Sequence, residues 1–262
     1  MPAGPRPGKA AIVARPRKAN SYQLMKITSA DNPRFKDLKK LFLDKEFRHL
    51  TQLYPVEGLR AASALLKIEQ LYIRAGTQCE LKCQKTFEVE EKLFDKIADT
   101  QTSQGIIALC AMTMLDKSAM EKDKRYLFLD RVQDPGNMGT IIRTACAFGI
   151  EGVIIDKGCC DPFAPKVVRS SGGYVGRIKI IQISKVSELE GHSLICADFT
   201  GEDPEKFIWP KGFILAIGNE ANGVSEEILN LPCHRIFIPT KTVESLNVAI
   251  AAGILLFQAS RS

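Results

Sequence analysis

Three strand-to-helix corners of this 262-residue chain carry side chains that could hold a ligand. The last, "IFIPTKTVESLNVAIAAGILLFQ" (236–258), passes into an apolar helix through Thr240, Lys241, Thr242, Glu244, Ser245 and Asn247. A helix cap explains part of it, with Ser245 the expected N-cap. The second, "ILAIGNEANGVSEEIL" (214–229), enters a loop of Gly218, Asn219, Glu220, Asn222 and Gly223. Its two glycines let the backbone turn sharply and approach a ligand closely, and Ser225 is placed to cap the next helix. The remaining corner is "DRVQDPGNMGTIIRTACAFGI" (130–150). Pro135-Gly136 makes a turn, Asn137 is a candidate cap, and Arg143 follows among Ile141, Ile142 and Ala145. A surface arginine with an apolar stem explains Arg143, and so does a cation aimed at a phosphate or carboxylate. A fourth stretch, "PKVVRSSGGYVGRIKI" (165–180), sets basic residues beside a Ser-Ser-Gly-Gly bend. Backbone N–H groups and hydroxyls there suit a phosphate, though an ordinary helix-to-strand turn accounts for them equally well.

Several chemistries are unsupported. No G-x-x-x-x-G-K-[ST] loop, no G-x-G-x-x-G after a strand and no G-x-S-x-G elbow occurs. The eight cysteines show no Cys-x-x-Cys spacing and the three histidines are isolated, so no metal site is expected. Cys110, Cys146 and Cys196 lie in apolar segments and read as small core residues. With no secretory signal, the expected setting is cytoplasmic with reduced thiols. No apolar run approaches the roughly 18 residues of a membrane helix. The net charge of +6 is carried by the first 26 residues, which hold six basic residues and no acid. Without them the chain has 30 basic and 30 acidic residues, so an RNA-binding face must come from local clustering.

The elements that position these residues follow from the pattern. Residues 1–25, rich in Pro, Gly and Ala, are expected to be a basic disordered tail. Residues 26–113 form a smaller α/β unit, with a helix through "NPRFKDLKKLFLDKEFRHL" and strands at "EQLYIRAG" and "SQGIIALCAM". Residues 114–124 are expected to be a charged linker. Over 125–262, strands near 126–131, 152–156, 178–182, 193–198, 213–218 and 235–238 alternate with helices near 138–148, 165–171, 224–230 and 246–258. That alternation implies a parallel sheet covered on both faces, with ligands beyond the C-terminal strand ends.

The stretches "NMGTIIRTACAFG" (137–149), "KVVRSSGGYVGRI" (166–178), "AIGNEANGVSEEIL" (216–229) and "IFIPTKTVESLNVAIAAGILLF" (236–257) come in the order seen in the SpoU/TrmH branch of the SPOUT methyltransferases, which the chain resembles. "NPRFKDLKKL" and "YPVEGLRAA" are similar to that family's L30e-like substrate-binding domain. The resemblance implies an α/β fold with a trefoil-knotted parallel-sheet domain, a homodimer with active sites near the subunit interface, and S-adenosylmethionine-dependent methylation of a ribose 2′-hydroxyl in structured RNA, ribosomal RNA being favoured. A transfer RNA methyltransferase, or an RNA-binding or ribosome-assembly factor without turnover, is the alternative. The implied cofactor residues are Ala197, Ala216, Ile217, Gly218, Asn219, Gly223, Ile238, Pro239, Ser245, Leu246 and Asn247. The implied catalytic group is Arg143 with Asn137, Glu220, Ser245 and Asn247, Arg143 acting as an electrostatic organiser. RNA contacts would come from Arg34, Lys36, Lys39, Lys40 and Arg48, with Arg169 and Ser171. Gly173 and Gly176 depart from the family pattern, where an alanine or a larger residue is common.

Overall fold

The computed structural model describes residues 24–98, 103–219 and 221–261. The expected tail therefore lies outside the described residues, apart from Leu24 and Met25. Met25 already opens the first strand, so the folded unit begins one residue before the boundary read from sequence.

The first unit runs β1 (Met25–Ile27), α1 (Pro33–Leu43), α2 (Lys45–Thr51), β2 (Leu53–Glu57), α3 (Leu59–Ser63), β3 (Gln70–Arg74), β4 (Thr86–Val89), α4 (Glu91–Phe94) and β5 (Ile106–Ala111). Its sheet has the order β1-β4-β3-β5-β2. α1 starts where the Asn32 side chain accepts the Arg34 N–H, with Pro33 at the first position. It buries Phe35, Leu38 and Leu41. Asp44 is extended; it ends α1, and its carboxylate accepts the Phe47 N–H to start α2. One expected helix is thus two.

The second unit runs β6 (Met114–Leu115), β7 (Arg125–Leu129), α5 (Pro135–Ala147), β8 (Gly152–Ile155), α6 (Pro165–Ser170), β9 (Lys179–Gln182), β10 (Leu194–Glu202), β11 (Phe213–Ile217), α7 (Glu226–Leu229), β12 (Cys233–Ile236) and α8 (Val248–Ser260). Among the described residues its sheet has seven strands, ordered β12-β10-β11-β7-β8-β9-β6, and every pairing is parallel. The central strands are continuous apolar runs because helices cover both faces; β8 and β11 are buried throughout. The expected α/β parallel-sheet architecture is the observed one. The expected linker is not free, however. Its apolar pair Met114 and Leu115 is β6, which covers the edge of β9 through Ile180 and Ile181. No helix among the described residues is long and apolar enough to cross a membrane.

The two units share one apolar core, where Tyr54, Val56 and Ala62 meet Phe163, Val167, Val168 and Val175. Tyr54 and Phe163 lie with ring centroids 5.0 Å apart. Arg48 is only 4% exposed. Its Nη2 and Nε donate to Asp161 Oδ2 at 2.6 and 3.2 Å, and its Nη1 donates to the Leu41 carbonyl at 3.0 Å. The expectation that Arg48 contacts RNA is therefore overturned: its charge is consumed in holding the units together. Removing one partner of such a buried pair costs about 3–5 kcal/mol. Gly173 and Gly176 act at the same junction. Gly173 has φ +83°, and a Cβ there would sit 2.7 Å from the Ala61 carbonyl oxygen; at Gly176 it would sit 2.6 Å from the Tyr54 hydroxyl. Arg177 Nε donates to the Ala64 carbonyl beside them. The departures from the family pattern let the 171–177 bend lie directly on α3. Ser171, expected at an RNA surface, is fully buried, its hydroxyl donating to the Val168 carbonyl at 2.9 Å. It is a fold residue.

Candidate active site

The C-terminal ends of β10, β11 and β12 open onto one crevice of about 250 Å³. Of the expected cofactor residues, Ala197, Ile217, Gly218, Asn219, Gly223, Ile238, Ser245 and Leu246 line it. Ala216 does not, being wholly buried within β11. Pro239 and Asn247 sit beside the lining rather than in it. Glu220 lies outside the described residues. Sequence reasoning missed Asp198, Phe199 and Phe237, which also line the crevice. The signal was available: Asp198 and Phe199 lie in β10 just past the stretch 194–196 that pairs with β11, and Phe237 just past β12, toward the C-terminal side of the parallel sheet where ligands bind.

The 218–225 loop is held from several sides. Asn219 and Gly223 exchange two backbone hydrogen bonds, each 2.9 Å. A Cβ on Gly218 would lie 1.9 Å from the Gly223 carbonyl carbon, so only glycine permits this closure. Asn219 Nδ2 donates to the Arg131 carbonyl at 2.8 Å. Asp130, 2% exposed, accepts the Ser225 N–H at 2.6 Å. Ser225 stands at the N-cap of α7, but its hydroxyl makes no cap bond; the helix start is fixed by Asp130 instead. Arg131 has φ +56° although it is not glycine. Its guanidinium lies 3.6 Å from Asp130, 3.8 Å from Asp156 and 3.6 Å from Glu227. Left-handed backbone costs about 1–2 kcal/mol for a residue bearing a Cβ, so the position is held by its surroundings.

The corner before α5 joins the same site. Its N-cap is Asp134, not Asn137: the Asp134 carboxylate accepts the Asn137 N–H at 2.8 Å. Asn137 therefore lies in the first turn, where its Oδ1 accepts from Asn247 Nδ2 at 3.0 Å. Asn247 Oδ1 in turn accepts the N–H groups of Ala249 and Ile250 at 2.9 and 3.3 Å. Asn247 is thus the cap of α8, while Ser245 faces the crevice. Arg143 is exposed on α5, roughly 9 Å along the helix from Asn137, and does not line the crevice. Arg34, Lys36, Lys39 and Lys40 are exposed together on α1, and Arg169 is exposed on α6.

The crevice suits a nucleoside-bearing ligand. Ile217, Ile236, Ile238, Leu246 and Val248 supply apolar walls, and loop backbone, Asp198 and Glu244 supply polar groups. Comparison with known proteins agrees. Residues 124–257 match the SpoU rRNA Methylase family, and residues 32–108 match the MRM3-like substrate binding domain. The chain is 31% identical over 248 residues to the 23S rRNA (guanosine(2553)-2'-O)-methyltransferase RlmP of Bacillus subtilis, spanning 89% of this chain and 98% of that protein. An AdoMet-bound rRNA methyltransferase from Sinorhizobium meliloti superposes with a TM-score of 0.80 at 29% identity, over 91% of this chain and 98% of that one. The SpoU methyltransferase AviRb from Streptomyces viridochromogenes, solved in complex with AdoMet, superposes with a TM-score of 0.75 at 26% identity, over 88% and 97%.

Proposed function

We infer the function from one premise: the chain belongs to the SpoU rRNA methylase family. It is an S-adenosylmethionine-dependent methyltransferase that modifies a ribose 2′-hydroxyl in RNA, with ribosomal RNA the substrate. The observation that carries the reading is the convergence of three distant strand-end loops on one crevice, tied to the Arg143 helix by the Asn137–Asn247 bond.

S-adenosylmethionine, when bound, supplies an electrophilic methyl group on a sulfonium. Residues 217–219, 223, 238 and 245–246 would hold it. Asn137 and Asn247 fix the relation between the crevice and α5. Arg143 acts as a cation and hydrogen-bond donor rather than as the base. Its role is to bind the RNA phosphate beside the target and to stabilise charge developing on the ribose oxygen. Much of the acceleration then comes from alignment. The exposed cations of α1 and Arg169 take RNA phosphates, which gives affinity that falls with salt. The eight cysteines, read as thiols, suit a reducing, cytoplasmic setting.

A homodimer belongs to this reading. α8 is apolar all round: Leu255 and Leu256 are buried, while Ile250 is 57% and Phe257 46% exposed. A second copy covering that face would bring α5, which packs on α8, and its Arg143 to the interface. The family's knot belongs to it too. Its support is the passage of the end of β10 over the end of β12, where Phe237 N–H donates to the Glu202 carbonyl at 2.9 Å.

Transfer of tritium from labelled cofactor into ribosomal RNA tests the function. The wild type should incorporate label, and Arg143→Ala should bind cofactor normally while losing most turnover. Tight RNA binding without incorporation by the wild type would sink the enzymatic reading; unchanged turnover in Arg143→Ala would sink the role given to that residue.

A further inference from the structure

Asp198 follows the buried stretch 194–196 of β10 and lines the crevice. Its side chain is 17% exposed. Among the described residues, every bond to this carboxylate falls on one oxygen. Asp198 Oδ1 accepts the Thr200 N–H at 2.9 Å and the Thr200 hydroxyl, and lies 3.7 Å from Arg235 Nη1. These contacts hold the carboxylate in place within β10, and among the described residues they leave Oδ2 without a protein donor. Burial alone would raise its pKa, but the Thr200 hydrogen bonds and Arg235 outweigh burial and keep the group below the ordinary carboxylate range. Asp198 is therefore an ionised acceptor at any ordinary assay pH.

We propose that Asp198 is a ribose-diol subsite, its Oδ2 accepting hydrogen bonds from the 2′- and 3′-hydroxyls of the adenosyl moiety of the methyl donor. The proposal rests on the cofactor reading above and adds the part of the ligand that this residue selects. A carboxylate in such a crevice meets either neutral donors on that ligand, the ribose hydroxyls and the adenine 6-amino group, or the cationic ammonium of the methionine end. Removal of the hydroxyls, below, separates the two neutral ones. Arg235 decides between neutral and cationic donors. A guanidinium already beside the carboxylate partly neutralises it and opposes the approach of a second cation, whereas it leaves hydroxyl donation intact. The crevice holds a second carboxylate, Glu244, which is exposed and has no ion pair among the described residues. That group is the one left for a cationic end.

Calorimetric titration of the full chain separates these roles. S-adenosylhomocysteine carries both the diol and the amino-acid end; 5′-methylthioadenosine carries the diol alone. Asp198→Asn retains an acceptor for Thr200 but puts an amide donor where the second acceptor was. It should weaken both ligands by the same factor, about tenfold, since hydrogen bonds to charged groups are worth about 1.5–3 kcal/mol. Loss confined to S-adenosylhomocysteine would move Asp198 to the ammonium and overturn the proposal, as would no loss on either ligand. A second measurement needs no variant. Wild-type protein should bind the 2′,3′-dideoxy form of methylthioadenosine about tenfold more weakly than methylthioadenosine itself. Equal binding of the two overturns the subsite and leaves the cofactor reading standing; wild-type protein that binds neither nucleoside nor S-adenosylhomocysteine overturns both.

Discussion

Arg48, Arg131 and Arg143 are the same residue type with three fates. Arg48 is buried between the units, Arg131 sits in left-handed backbone among three carboxylates, and Arg143 is exposed on α5. Local sequence separates none of them, because burial and partners come from residues far away, Asp161 for Arg48 above all. Motif order singled out Arg143, whereas charge clustering on the first helix misassigned Arg48. Asp130 shows the same limit. It reads as the end of a strand, yet its carboxylate holds the Ser225 N–H, 95 residues away. Asp130→Ala should lower stability by about 1–3 kcal/mol, the cost of an unsatisfied buried donor, and weaken binding of S-adenosylhomocysteine by loosening the 218–225 loop. Asp130→Asn, which keeps an acceptor, should recover most of both. Thermal unfolding and calorimetry check this; full stability and affinity in the alanine variant would show that the loop is fixed by other contacts.

At the level of elements, the start of α8 is the informative case. Ser245 and Asn247 are both good N-cap types, and their spacing alone does not choose between them. Asn247 is the cap, because the chain leaving β12 must first line the crevice through Ser245 and Leu246 before it can turn into the helix. Asn247→Ala should cost about 1 kcal/mol in stability, and turnover should fall further than that loss explains because the tie to Asn137 goes as well. Ser245→Ala should leave stability within about 0.5 kcal/mol. Chemical denaturation read beside methyl-transfer rates distinguishes the two; the reverse order of stabilities would return the cap to Ser245. Positions of most long elements were legible from apolar runs, and the strands expected in the second unit form the expected parallel sheet, though β10 runs on to Glu202. The two-residue β6 and the three-residue β1 were not, since neither is long enough to show periodicity.

On the scale of the whole molecule, the apolar outer face of α8 demands a cover. Replacing Ile250 and Phe257 together by Glu should convert the proposed homodimer to a monomer with the fold intact, read by sedimentation and circular dichroism, and should abolish methyl transfer. A wild-type chain that sediments as a monomer would remove the dimer from the proposal. By itself the sequence determined the alternation of elements, the parallel sheet and which loops carry polar groups, because apolar period and turn chemistry are written locally in neighbouring residues. Only the tertiary structure decided that those loops share one crevice, that Asp198 lines it, that Arg48 and Gly173 lock the smaller unit onto the larger, and that Asn137 meets Asn247. Each of those facts joins residues from roughly fifteen to more than a hundred positions apart or depends on which face a strand presents. Such pairings are selected by the closure of the whole core and leave no periodic trace in the chain.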